Sequence, residues 1–167
     1  LTDNPAMADG IPLFHIDHGN VITEALDMEA LSAATTAMRL QTDIDGVTEI
    51  EIMPSYVAVP VELEKTARQL LVLQTVPNTT ADANPYQGEL MPISSRYLSA
   101  ASAAEWYLFA SPDEVDTIEI AYLQGNSEPY FETRDGFNVD GVEVKVRHEV
   151  GMKAIDWRGI VKSTGQA

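Results

Sequence analysis

Residues 14–20 read Phe-His-Ile-Asp-His-Gly-Asn, so His15 and His18 flank Asp17 within a single short stretch. Two imidazoles beside a carboxylate are ligand types that a divalent cation accepts, and a histidine next to an aspartate can also work as a general base. A metal-dependent hydrolase using His15, Asp17, His18 and one further carboxylate is therefore one reading. The spacing argues against it. Helical zinc sites place two histidines four residues apart, on one face, whereas these three lie at i, i+2 and i+3 in a loop ending at Gly19-Asn20. The remaining histidine, His148, falls on the apolar face of a strand-like stretch and is expected to be a hydrogen-bonded core residue rather than a third imidazole ligand. The second reading, that these side chains hydrogen-bond to fix their own loop, fits the spacing better.

No other motif supplies chemistry. Asp43-Ile44-Asp45-Gly46 lacks the third acidic position and the twelfth-position glutamate of a calcium loop. There is no nucleophile elbow, phosphate-binding glycine loop or dinucleotide fingerprint. Asn78-Thr79-Thr80 matches a glycosylation sequon, which means little without a secretory signal. Trp106 and Trp157 lie on β-patterned stretches and are expected in the core, not as stacking platforms. No catalytic or cofactor-binding residue is assigned, and His15, Asp17 and His18 stand as the metal candidates.

Composition narrows the class. Apolar residues make up 45% and charged residues 22% of 167, ordinary globular usage, and a chain this long buries roughly 70% of its unfolded surface. Cysteine is absent, which removes disulfides and thiolate chemistry and fits a reducing compartment or a structural protein. No run of 18 apolar residues and no secretory signal is present. The start at Leu1 and the polar Thr2–Gly10 stretch suggest a trimmed or processed chain with more protein upstream. Ten basic and 26 acidic residues leave a net charge of −16. Residues 1–133 carry −17 and residues 134–167 carry +1. No Lys/Arg cluster exists to neutralise a nucleic-acid backbone or meet anionic lipid. An acidic body with a neutral tail also permits head-to-tail contacts between copies.

The elements that must position these residues follow from periodicity. A helix is expected over 26–41, with Asp27 as cap and Leu31, Ala34 and Met38 inward. A half-buried strand is expected at 49–53, broken by Pro54 and resuming at 56–59. A helix over 60–74 opens at Pro60, with Glu64 pairing to Arg68. Residues 75–89 form a long loop. A weak strand at 90–98 and a small-residue connector at 99–104 follow. Thereafter the pattern is β: 105–110, 117–124, 129–133, 142–149 with Val142, Val144, Val146 and His148 on one face, and 152–162 with Ile155, Trp157 and Val161 inward. Helices early and antiparallel strands late give an α+β class.

Read in order, the stretches Pro12–Asn20, Ile52–Leu71, Asn84–Leu90, Trp106–Pro112, Thr117–Phe137 and Val142–Lys162 resemble the C-terminal part of tailed-phage major capsid proteins. The resemblance is to the Mu-like major head subunit and its relatives, which occur in prophages as fusions of a ClpP-like prohead protease to a capsid domain. It covers most of the chain and implies the phage major capsid protein fold (Hong Kong 97-like). Tyr56–Leu71 would be the A-domain strand and helix, the 75–89 loop would face the symmetry axes, and Val142–Lys162 would be returning P-domain strands. FHIDHGN would be a structural turn after a spine helix that, like the N-terminal arm, the extended loop and any protease, is not among these 167 residues. The implied organisation is an N-terminal linker and loop (1–20), a mostly A-domain-like part (21–104) and a mostly antiparallel P-domain-like part (105–167). One core is expected to join Tyr56–Leu73 to a sheet formed by Glu105–Lys162.

The resemblance implies a structural subunit and not an enzyme, with no cofactor, assembling with copies of itself in hexamers and pentamers and meeting other capsid-assembly proteins. It implies no specific nucleic-acid binding and no membrane contact. Location would be the virion, after assembly in the bacterial cytoplasm. An acidic wall would also not trap the packaged genome. An acidic ligand-binding module is the third class considered, and no motif supports it.

Overall fold

Along Trp106–Ala110 every second side chain must find a different core, because both faces of this strand are apolar. The computed structural model, which describes residues 3–73, 84–136 and 140–166, shows how. Trp106 and Leu108 pack on one side with Leu31, Ala34 and Met38 of one helix and Ala67 and Leu71 of another. Tyr107 packs on the other side with Met7, Leu13, Phe14 and Ile160. The chain is mixed α and β, and its contacts divide it into two units: Leu1–Thr117 with Ala154–Ala167, and Ile118–Lys153.

The larger unit is built on a five-stranded mixed sheet. Its strands are β1 (Val21–Ile22), β2 (Pro54–Val59), β3 (Met91–Ser94), β4 (Trp106–Ala110) and, last in the chain, β9 (Ile160–Ser163), in the spatial order β1-β9-β4-β2-β3. β4 runs antiparallel to both neighbours, with Val57 opposite Leu108 and Tyr107 opposite Lys162. The outer pairs, β1 with β9 and β2 with β3, are parallel. Helix α1 (Met28–Arg39) is capped as its sequence predicts: the Asp27 carboxylate accepts from the Ala30 N–H at 2.7 Å. Helix α2 (Glu64–Val72) follows a 3-10 turn at Val61–Leu63 and carries the expected Glu64–Arg68 pair at 2.9 Å.

Four local expectations are corrected. Residues 49–53 are not a strand. Glu51 adopts φ +32°, which breaks the extended path, and Ile52 drops into the core. Pro54 begins β2 instead of interrupting it, at a register shift between Pro54 and Tyr56, where a missing N–H is tolerated. Residues 96–101 are helix α3, because the Ser95 hydroxyl accepts from the Tyr97 N–H and caps a turn, so part of the expected connector is helical. The stretch 152–162 is two strands. Asp156 accepts from the Arg158 N–H at 2.8 Å and pairs with its guanidinium at 3.2 Å, forming a turn that ends one strand and begins β9. Val161 is buried as expected, whereas Ile155 is exposed.

The smaller unit consists of β5 (Ile118–Tyr122), β6 (Tyr130–Asp135), β7 (Val142–Arg147) and β8 (Val150–Ala154), arranged as two two-stranded ladders, β5 with β8 and β6 with β7. The strands expected between Glu105 and Lys162 therefore do not form one sheet. β4 and β9 join the larger core and the others pair among themselves. Residues 74–83, with the sequon and most of the expected 75–89 loop, lie outside the described residues; Asn84–Glu89 form a turn in which Asn84 donates to the Leu73 carbonyl at 2.9 Å.

Candidate functional site

The loop that concentrates the titratable groups is a 3-10 turn, Ile16–His18, closed by Gly19 at φ +62°. His15 and His18 serve different partners. The Nδ1 of His15 accepts from the Asp17 N–H at 3.2 Å and lies 3.3 Å from the Asp17 carboxylate, near solvent. His18 turns inward. Its Nδ1 lies 3.2 Å from the Leu13 carbonyl, its Nε2 lies 2.9 Å from Asp9 Oδ2, and its side chain is 3% exposed. The imidazole lies on the indole of Trp157, centroids 4.1 Å apart and planes 7° from parallel.

Two buried amides brace the turn. Asn20 accepts from the His15 N–H at 3.2 Å and donates to the Leu13 carbonyl at 2.8 Å and the Trp157 carbonyl at 3.5 Å. Gln41, just past α1, donates to the His18 carbonyl at 2.9 Å. The Asp9 carboxyl is held below the usual carboxylate range, first by its hydrogen bond with His18 and then by the N–H of Ile11. Among the described residues, no group of three His, Asp or Glu side chains is placed to hold a metal ion. Both His18 nitrogens are engaged with protein oxygens, so this ring offers no free lone pair to a substrate. What the arrangement does is fix backbone.

The residues that make this lock were only half visible in sequence. Asp9, Gln41 and Trp157 come from outside the motif. The one signal for Gln41 was a polar residue directly after an apolar helical stripe. Trp157 is half-buried as a stacking partner of His18, not a core tryptophan; Trp106 is fully buried, with its indole N–H donating to the Glu24 carbonyl at 3.3 Å. His148 is exposed, its ring 5.9 Å from that of Tyr122, so the buried role expected for it is corrected: β7 ends at Arg147 and His148 lies in the connection to β8, not on a strand face.

A second candidate is the β6–β7 ribbon. Cross-strand register sorts its side chains into two faces. Tyr130, Glu132 and Arg134 stand opposite Arg147, Lys145 and Glu143. That face is a zipper of opposite charges, with Arg134–Glu143 at 2.6 Å, Lys145–Glu132 at 3.4 Å and Arg147 over the Tyr130 ring. The other face carries Phe131, Val142, Val144 and Val146, exposed by 64%, 65%, 61% and 56%, with Thr133 among them and Asp135 at its end. A two-stranded ribbon is marginal alone in water, and contiguous apolar surface of this kind marks an interaction face.

Comparison with known proteins gives this surface a context. No curated protein matches the chain significantly. A phage-related protein from Bordetella bronchiseptica RB50 has a similar fold, with TM-score 0.58 and 10% identity over 98% of this chain and 58% of its own. A protein of Mycobacterium phage Che8 superposes with TM-score 0.51 and 14% identity, covering 90% of this chain and 54% of its own. A chain from the satellite phage P4 procapsid, a particle that includes the size determination (Sid) protein, gives TM-score 0.45 and 12% identity, covering 89% and 47%. The chain thus spans somewhat more than half the length of the first two. Residues 1–163 match the family model described as phage capsid protein, and the chain belongs to that family.

Proposed function

We propose that this chain is a structural, non-catalytic part of a phage or prophage capsid, acting by association with copies of itself. The observation that carries the reading is the one-sided β6–β7 ribbon, whose charged face is internally neutralised while its apolar face stands exposed. Charge distribution points the same way. By sequence the larger unit holds 19 acidic and 6 basic residues, whereas the β6–β7 ribbon, residues 130–147, holds 4 and 3. Two large units repel one another, whereas the nearly balanced ribbon can approach a neighbour, which favours a heterologous, ring-closing contact over a face-to-face one.

In the finer reading, the chain is the C-terminal portion of a Mu-like major head subunit, of the kind fused to a ClpP-like prohead protease. β2 and α2 act as the A-domain unit, and the strands after Thr117 act as P-domain strands. Subunits assemble as hexamers and pentamers in the bacterial cytoplasm and remain in the virion, with other capsid-assembly proteins as partners. Expression of the chain within its full reading frame, followed by negative-stain microscopy, tests this. Shells or closed rings are the expected product. Dispersed monomers at every salt and pH tried would overturn it.

A further inference from the structure

His18 is buried between two oxygen acceptors, and a neutral imidazole has only one N–H to give. Asp9 supplies one acceptor and, with its proton affinity lowered, is a carboxylate at any moderate pH. The Leu13 carbonyl supplies the other. Only the doubly protonated ring donates to both. We infer that His18 is a proton-dependent clasp, holding the Asp3–Phe14 segment on the sheet when the ring carries both protons and weakening when it loses one.

The surroundings support a clasp over a passive contact. Asp9 and Leu13 both belong to the segment, and Trp157, on which the ring stacks, belongs to the body of the larger unit. The segment buries Met7, Leu13 and Phe14 against Tyr107 and Ile160, so loosening it uncovers an apolar surface. The other charged groups around the ring are themselves paired. Arg158 sits 4.5 Å over the Trp157 ring and binds Asp156, the His15 Nδ1 is occupied by the Asp17 N–H, and Lys162, over Phe14 and Tyr107, binds Glu105 at 3.0 Å. Loss of a ring proton leaves two lone pairs facing each other, on the Asp9 side or on the Leu13 side.

Nitrogen-15 NMR of the ring and amide hydrogen exchange over residues 7–14, corrected for intrinsic rates, test this between pH 5.5 and 8. Both ring nitrogens should be protonated at the acid end, and protection of the Met7 and Leu13 amides should fall about tenfold toward the alkaline end, the scale of one lost charge-assisted bond. Asp9→Asn should flatten that pH dependence, because its amide can donate to a neutral Nε2 while Nδ1–H still serves Leu13. A ring that is neutral throughout, or protection unchanged with pH in the unsubstituted chain, would overturn the inference, even if the variant proved unstable.

Discussion

The imidazole of His18 lies parallel to the indole of Trp157, 4.1 Å away, and so joins a turn near the start of the chain to one near its end. Trp157 is therefore more than surface covering. Trp157→Ala removes the stack and the apolar area under it and should cost about 3 kcal/mol, toward the lower end for a large aromatic because the ring is only half-buried. Trp157→Phe should recover most of that. Urea denaturation followed by circular dichroism measures both.

At the tip of the Asp43–Thr48 turn, Asp45 accepts from the N–H groups of Val47 and Thr48 at 2.9 and 2.8 Å and from the Thr48 hydroxyl at 2.6 Å. Those donors, the hydroxyl first, hold its carboxyl down to about 2. The folded value lies below the unfolded one, so the stabilisation is complete above the ordinary carboxylate range and is lost as pH falls from there through about 2. Carbon-13 NMR titration should show Asp45 titrating below the other exposed aspartates. Asp45→Asn should remove this turn's share of the acid sensitivity.

Gly159 has an ordinary φ, so its role is space and not backbone freedom. A Cβ there would stand 2.5 Å from the Thr117 methyl and 3.3 Å from the Ala110 Cβ. Gly159→Ala should destabilise the larger unit by about 1–3 kcal/mol, the range of core overpacking. Combining it with Thr117→Ser, which deletes the opposing methyl, should return part of the loss. Recovery in the double variant, read from thermal melts, identifies that contact as the cause.

On the ribbon, Val144→Lys places a charge in the middle of the exposed apolar face opposite Thr133. Melting of the larger unit should be unchanged, while the yield of assembled particles from the full reading frame falls at least tenfold, because a buried unpaired charge at an interface is costly. Glu132→Gln, on the zipper face, should leave yield within about twofold, as exposed ion pairs contribute little. Equal losses in both variants would remove the case for a one-sided interface.

How much of this was legible beforehand depends on the range of the interaction. The Asp27 cap and the Glu64–Arg68 pair span three and four residues, and local pattern located both. Period-two alternation marked most of the later strands but also 49–53, which is none, and could not say which had something to pack on. Val57 and Val144 sit in similar-looking runs, yet one is fully buried and the other is 61% exposed. The loop was read as hydrogen-bonded, but Asn20 looked like a turn residue. Its contact with the Trp157 carbonyl spans 137 positions, a distance no spacing argument covers.

β9 lies inside the sheet, between β1 and β4, yet it follows every other strand in sequence. On the ribosome, the larger unit cannot close its sheet until Ile160–Ser163 has emerged, whereas the β6–β7 hairpin pairs residues close in sequence and can form early. Tyr107, which needs Ile160 beside it, waits in the meantime with one side unfilled. Translation itself thus sets the order of events: the sticky hairpin emerges before the body that carries it is complete, and a chain stopped before Ile160 can adhere but has no finished core.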